Sequence, residues 1–197
     1  YTNEAKSTNV GANITIGLSV NGAAKTTVET AAGGTFSFTG ITTIANDTIL
    51  LFIDDEIHEA NFVTDSDGSG NITGIEMYTN KIVLSIVNAA AMTNTLLATA
   101  DGSADDDIHY AISGANVDFD DNYEVWINAG KTYTPGGTVE MDDFEIQTTG
   151  TFNPAANAVT VHGDWVVPAA GTFTSSGTVT FDGGSTQSIN AGGTGTG

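Results

Sequence analysis

The chain of 197 residues carries 24 acidic side chains, four lysines and no arginine, which gives it a formal net charge of −20. This deficit of cations argues against nucleic acid as a partner, because phosphate binding draws its affinity from Lys and Arg. Cysteine is absent, so disulfides, thiolate metal sites and cysteine catalysis are excluded. No stretch approaches the roughly 18 to 20 apolar residues of a membrane-spanning helix, so no membrane insertion is expected.

The first half of the sequence reads as β-strands. Residues 13–20 alternate between apolar and polar side chains, and the Asn21-Gly22 pair that follows favours a type I′ hairpin turn. Residues 35–39 alternate again. Residues 49–53 and 82–87 are almost continuously apolar, which is typical of strands covered on both faces. These two segments are the predicted central strands of the core.

A loop at residues 65–76 matches the spacing of a calcium-binding EF-hand loop. Its predicted oxygen ligands are Asp65, Asp67, Ser69, Asn71 and Glu76. The flanking residues read as strands, however, whereas an EF-hand has helices on both sides. Clusters of Gly and Asp between strands are also ordinary turn chemistry. Calcium binding and a plain turn are both open interpretations, and calcium is the one cofactor considered, with none required.

One short helix is predicted at residues 92–99, followed by an acidic segment at residues 101–107. The adjacent aspartates of that segment repel one another, so either solvent or a cation must neutralise them.

Residues 123–128 alternate as a strand, with Trp126 on the face opposite Val125 and Ile127. An exposed Trp126 would be a candidate for stacking on a sugar ring, and the alternatives are an interface or cover from a nearby loop.

The last third of the chain contains a repeat of 20 residues. Residues 138–142, 158–162 and 178–182 each alternate around a Val, and a looser copy begins near Val117. Regular spacing of this kind is typical of stacked solenoid rungs or serial hairpins. Stacked rungs would align several acids along one edge, as an ion-binding ladder or as a solvated edge that discourages strand pairing. These acids are Asp118, Asp120, Asp121, Asp142 and Asp143.

Two segments resemble modules of large bacterial cell-surface and secreted proteins. Residues 22–41, which include Gly34-Thr-Phe-Ser-Phe38, resemble the strand pattern of immunoglobulin-like modules. Residues 159–189, with their Gly-Thr-Phe and Thr-Val-Thr-Phe units, resemble the repeats of very large secreted proteins. The resemblance implies a β-rich, extracellular and structural protein, and it assigns no catalytic residue.

The sequence therefore predicts an all-β protein, with an immunoglobulin-like β-sandwich at residues 1–112 and a Gly-punctuated β-repeat domain, solenoid-like or a second sandwich, at residues 113–197. The expected function is that of an extracellular surface or filament subunit that forms polymers with itself. A tail at residues 191–197, rich in Gly, is expected to be held by a neighbouring subunit or by a following repeat. The alternative function is a calcium-stabilised adhesive or carbohydrate-binding module.

No enzyme activity is expected. The sequence contains no Gly-x-Ser-x-Gly element and no Gly-rich phosphate loop before a helix. Its three histidines, His58, His109 and His162, are far apart, and each is expected at a surface or in a turn rather than as a metal ligand.

Overall fold

The computed structural model describes residues 1–2, 5–101 and 105–192. Across these residues the protein is all-β, with one short helix and a β-solenoid of stacked parallel strands. Within the same ranges no helix has the length and apolar character needed to cross a membrane.

The N-terminal part is an antiparallel sheet. Its strands are β1 (Thr15–Val20), β2 (Thr26–Glu29), β3 (Ala45–Ile53) and β4 (Asn61–Asp67), in the spatial order β2-β1-β3-β4. The turn between β1 and β2 is the predicted type I′ turn, because Asn21 and Gly22 both have positive φ and Ala23 N donates to Val20 O at 3.0 Å.

The antiparallel sheet continues directly into the solenoid. Strand β5 (Lys81–Leu84) pairs in parallel with β4 on one side and with β8 (Glu124–Ile127) on the other. The result is one nine-stranded sheet in the order β17-β14-β11-β8-β5-β4-β3-β1-β2. Its solenoid members after β8 are β11 (Asp143–Ile146), β14 (Trp165–Val167) and β17 (Ile189–Ala191).

Two further sheets complete the solenoid. One contains β6 (Tyr110–Ser113), β7 (Asn116–Phe119), β10 (Val139–Met141), β13 (Val159–Val161) and β16 (Val179–Phe181), in which β6 is antiparallel to β7 and the rest are parallel. The other contains β9 (Thr132–Tyr133), β12 (Thr151–Ala155) and β15 (Thr172–Ser175). Each turn of the solenoid up to β15 therefore contributes one strand to each of the three sheets.

The pairing register confirms the repeat predicted from the sequence. Val139 lies opposite Val159, and Val159 lies opposite Val179, so successive rungs are related by the 20-residue period. The looser copy is also confirmed, because Val117 of β7 pairs with Val139 of β10. The solenoid-like alternative for the C-terminal region is the one that the structure has.

The long sheet buries side chains on both faces. Leu50 and Phe52 of β3 point into the solenoid core, while Ile49 and Leu51 point to a second cluster on the opposite face. The second cluster is buried because the irregular segments at residues 31–44 and 68–79 cover it. This explains why residues 49–53 of β3 and residues 82–84 of β5 are continuously apolar, as the sequence indicated.

A single helix, α1 (Asn94–Ala100), packs against the first rung of the solenoid. Thr93 caps it by accepting a hydrogen bond from Leu96 N, and Leu97 is completely buried. Met92 bridges to Tyr133 as an extra parallel partner of β9. The helix predicted at residues 92–99 is thus confirmed with its ends shifted by one to two residues, and it covers the N-terminal end of the core.

The immunoglobulin-like sandwich expected for residues 1–112 is not confirmed. Strands β1–β4 lie in the same sheet as the solenoid strands, instead of forming two sheets packed face to face. Residues 35–39, which alternate like a strand, run as an irregular segment over the second cluster. Buried side chains from both sides of residue 112, such as Val63 and Val125, pack in one cluster. The division into two domains stays a prediction.

Candidate functional site

The densest group of carboxylates lies where the turn after β3 meets the segment before β6. The oxygens of Asp54, Asp105 and Asp107 lie within 4.8 Å of one another, and so do those of Asp55, Asp106 and Asp107. Asp54 and Asp107 are buried. The structure thus brings part of the acidic segment at residues 101–107 onto a loop about 50 positions earlier in the chain, while residues 102–104 lie outside the described part.

A lysine ammonium partly neutralises this acidic group. Lys25 Nζ forms ion pairs with Asp54 and, at 2.8 Å, with Asp105 Oδ2, and it lies 5.7 Å from the centroid of the Phe52 ring. The hydrogen bonds that Lys25 donates to Asp105 and Asp54 raise its pKa. Burial raises the pKa of Asp107, although a hydrogen bond from Asp55 N at 2.7 Å opposes that effect. The ammonium therefore links the β1–β2 turn to both acidic loops.

Two of the five residues of the predicted calcium loop, Asp65 and Glu76, are engaged with other parts of the chain. Asp65 is completely buried at the end of β4, where its carboxylate accepts hydrogen bonds from the backbone N–H groups of Val87, Asn88 and Ala89. Glu76 instead forms an ion pair with Lys6. Asp65 thus fixes the segment after β5, and its oxygens are already engaged.

The remaining loop residues are exposed. Asp67 Oδ1 accepts a hydrogen bond from Ser69 N at 2.9 Å, which lowers the pKa of Asp67, and Asn71 lies on the surface. This is the turn chemistry of the plain-loop interpretation. Among the described residues, the acidic groups spaced closely enough for a metal ion do not include Asp65, Asp67 or Glu76. Calcium binding at this loop stays a prediction.

Trp126 is not available for stacking on a sugar. It is only 5 % exposed, and its ring lies 5.0 Å from that of Tyr78, with Lys81 Nζ 4.8 Å from its centroid. The prediction that it faces away from Val125 and Ile127 is confirmed, because those two residues belong to the solenoid core and Trp126 to the second cluster. Of the alternatives left open for this ring, the structure has cover from a nearby segment, the one that includes Met77 and Tyr78.

The predicted acidic ladder forms along one corner of the solenoid. Asp118 lies opposite Glu140 in the register of neighbouring rungs, and proximity to Glu140 adds to burial in raising the pKa of Asp118. Asp142 Oδ2 accepts a hydrogen bond from Asn122 N at 2.9 Å. Asp142 and Asp143 therefore hold backbone N–H groups of the rungs beside them, which gives the ladder a structural role.

Two of the three histidines lie between carboxylates. His162 Nε2 is 3.0 Å from Glu140 Oε1 and its Nδ1 is 2.9 Å from Asp182 Oδ1, at an exposed corner. His109 is buried, with its Nε2 3.1 Å from Glu59 and its Nδ1 3.4 Å from Asp120. The surface position expected for His109 is wrong. Sequence reasoning missed this group because its members are up to 61 positions apart and share no local motif.

A cavity of about 720 Å³ lies over the second cluster. Its floor is the outer face of the sheet, including Ile16 and Leu51, and its walls are the irregular segments with Phe36, Phe38 and Ile72. It is lined mainly by apolar side chains and hydroxyl groups. Such a cavity is large enough for a small molecule, but the lining contains no converging set of catalytic side chains.

No protein-family model, curated protein or solved structure matches this chain. In the described residues, the features that bear on function are the stacked rungs, the exposed apolar side chains of the last described rung and the carboxylate groups.

Proposed function

We propose that the protein is an extracellular structural subunit, of a surface layer or a filament, that associates with further copies of itself through its β-strands. The single observation that carries the proposal is the exposure of apolar side chains on the last described rung of the solenoid. The Arg-free, Lys-poor composition and the resemblance to secreted repeat proteins support the extracellular location. The proposal assigns no catalytic residue.

The last described rung exposes side chains that are buried in the rungs before it. Ile189 is 56 % exposed and Phe181 36 %, whereas the residues paired with them, Trp165 and Val161, are 3 % and 0 % exposed. In the described residues β16 and β17 are the last strands of their sheets. Both the apolar side chains and the backbone groups of this edge therefore gain from another strand.

The charge distribution favours a second copy at this end. Residues 165–192 contain one charged side chain, Asp182, although the chain as a whole has a net charge of −20. Two molecules of such charge repel each other over most orientations, and the repulsion is weakest where their neutral ends meet. The helix α1 covers the opposite end of the core. We therefore propose that two molecules pair through their C-terminal rungs, in an isologous contact to which each contributes the same surface.

A filament needs a second contact, which the other edge of the long sheet supplies. Strand β2 is the terminal strand there, and Thr26, Thr27 and Glu29 are exposed. Pairing of two β2 edges, alternating with pairing of two C-terminal rungs, would extend a linear assembly. Each contact adds strands to an existing sheet.

Sedimentation of the wild type and two matched variants tests the proposal. Ile189→Lys places a charge in the neutral end, while Ile57→Lys places the same charge at a residue that is 91 % exposed elsewhere. We expect the wild type and Ile57→Lys to sediment as dimers or larger assemblies and Ile189→Lys to lose the end-to-end contact. Monomers in all three samples, or equal association in all three, would contradict the proposal.

A calcium-stabilised adhesive or carbohydrate-binding module is the second candidate function. The observation that favours it is the convergence of Asp55, Asp106 and Asp107, three oxygens of the type that calcium prefers. Calcium should then raise the melting temperature, as binding to the folded state requires, and Asp106→Asn should remove that shift. A melting temperature that does not respond to calcium would count against this candidate and leave the structural one intact.

A further inference from the structure

His109 occupies a fixed position at the junction of the antiparallel sheet and the solenoid. Its backbone N donates to Asn61 Oδ1 at 2.7 Å, and its backbone O accepts from Asp120 N at 3.0 Å. Its ring lies parallel to that of Tyr123, with centroids 3.9 Å apart and planes inclined by 14°. The imidazole is 7 % exposed, so most of the ring is shielded from bulk water.

The two ring nitrogens have different environments. Nδ1 lies 3.4 Å from Asp120 Oδ2 and forms a hydrogen bond with it. Nε2 is buried and has no hydrogen-bond partner, although Glu59 Oε2 is only 3.1 Å away. A buried nitrogen beside a carboxylate but outside hydrogen-bond geometry is an observation that a structural role leaves unexplained.

This arrangement has the form of a histidine metal ligand. A ligating histidine commonly donates its other ring N–H to a carboxylate, which fixes the tautomer and turns the second nitrogen towards the ion. Here Asp120 occupies the place of that carboxylate, and Nε2 faces Glu59. Ligand atoms of a tetrahedral zinc ion, each about 2.0 to 2.2 Å from the metal, lie about 3.3 Å apart, close to the observed separation of Nε2 and Oε2.

We propose that His109 Nε2 and Glu59 bind a divalent ion of the zinc type, with Asp120 orienting the imidazole. Solvent completes the coordination, which the partly exposed side chain of Glu59 permits. A nitrogen ligand favours zinc over calcium, which prefers oxygen alone. The site differs from the calcium loop predicted at residues 65–76 and from the acidic group around Asp107.

Tyr123 supports the carboxylate instead of binding the ion. Its hydroxyl donates a hydrogen bond to Glu59 Oε2. Burial raises the pKa of Tyr123, and the hydrogen bond with Glu59 adds to the effect, so the phenol stays neutral and remains a donor. A hydrogen bond of this kind orients a ligating carboxylate, as outer partners of metal sites do.

Titration of the full chain with zinc chloride, followed by calorimetry, tests the proposal. The wild type should bind one ion at this site, and a hundredfold excess of calcium should not displace it. Glu59→Gln removes a ligand at a partly exposed position and should abolish binding. Asp120→Asn should weaken the affinity by about 10- to 100-fold. Far-ultraviolet circular dichroism of each variant confirms that it is folded.

Glu140→Gln is the matched control, because Glu140 faces the other histidine held between carboxylates, His162. Its zinc affinity should equal that of the wild type. Absence of zinc binding in the wild type would overturn the proposal. So would unchanged binding in Glu59→Gln, or loss of binding in Glu140→Gln alone, which would move the ion to His162.

Discussion

Asp143 Oδ1 accepts a hydrogen bond from the backbone N–H of Asp164 on the next rung, over 2.6 Å. Asp164 Oδ1 in turn accepts one from Ser188 N, over 2.7 Å. The two aspartates thus connect three successive rungs at one corner of the solenoid. Gly163 makes the first contact possible, because a Cβ at that position would lie 2.1 Å from Asp143 Oδ1.

Replacing Asp143 should destabilise the solenoid. Asp143→Ala removes the acceptor of the Asp164 N–H, and a hydrogen bond to a charged group at a partly exposed position stabilises by about 1 to 2 kcal/mol. Urea unfolding measures the loss as a lower transition midpoint. Asp121→Ala, which removes an exposed acid of the same corner, is the control and should cost less. Equal costs for the two variants would show that the contact adds no stability.

Asp65 should be the acid on which the fold depends most. Asp65→Asn keeps the shape of the side chain but replaces an oxygen that accepts backbone hydrogen bonds with an amide that donates them. Because the site is completely buried, we expect a loss of at least about 3 kcal/mol. Thermal unfolding of the variant checks this value.

Asp67→Ala serves as the comparison at an exposed residue of the predicted calcium loop. It removes one surface hydrogen bond and should lower the midpoint of thermal unfolding much less than Asp65→Asn does. Any rise of the melting temperature with calcium should be the same in this variant as in the wild type. A calcium response that Asp67→Ala abolishes would place an ion at residues 65–76 after all.

Gly177→Ala should disturb the stacking of the last rungs. A Cβ at Gly177 would lie 2.3 Å from Asn157 O, and backbone must move to relieve that contact. Overpacking of this kind costs about 1 to 3 kcal/mol. The same change at Gly184, where a Cβ would meet no atom within 4 Å, is the control. A smaller effect at Gly177 than at Gly184 would contradict the observed packing.

His162 should make stability depend on pH. The hydrogen bond with Glu140, and secondarily the charge of Asp182, raise the pKa of His162 above its ordinary value of 6.5. Because the folded-state pKa is raised, the stabilisation is fully present below about pH 6.5 and is lost as the pH rises through the folded-state pKa. The exposed position makes the effect small.

Nuclear magnetic resonance of the His162 ring in the folded protein tests this directly. The titration midpoint should lie above 6.5 in the wild type and should fall in Glu140→Gln. In thermal unfolding, His162→Gln should remove the decline in stability that occurs as the pH rises past this midpoint. A midpoint at or below 6.5 would contradict the assigned contacts.

The solenoid could be predicted because its signal is local and repeated. Val139, Val159 and Val179 mark the same position of successive rungs, and apolar side chains alternate around each of them. The hairpin at Asn21-Gly22 could be predicted for the same reason, since the turn type depends on two adjacent residues. The single sheet that joins β1–β4 to the solenoid could not be predicted, because strand alternation does not specify which strands pair, and β4 pairs with β5 in parallel.

The acidic and histidine groups were beyond sequence reasoning for a different reason. Glu59, His109 and Asp120 come from three separate segments that only the junction of sheet and solenoid brings together. The calcium pattern at residues 65–76 stays a prediction. Its spacing fits a calcium loop, but Asp65 and Asp67 belong to β4, where Asp65 is buried and Asp67 is exposed.

Electron microscopy of the purified protein, with and without a calcium chelator, tests the central claim most directly. We predict regular linear assemblies that persist in the chelator, because contacts between strand edges and not ions hold the copies together. Assemblies that dissolve on chelation would transfer that role to calcium. Monodisperse monomers under both conditions would contradict the account.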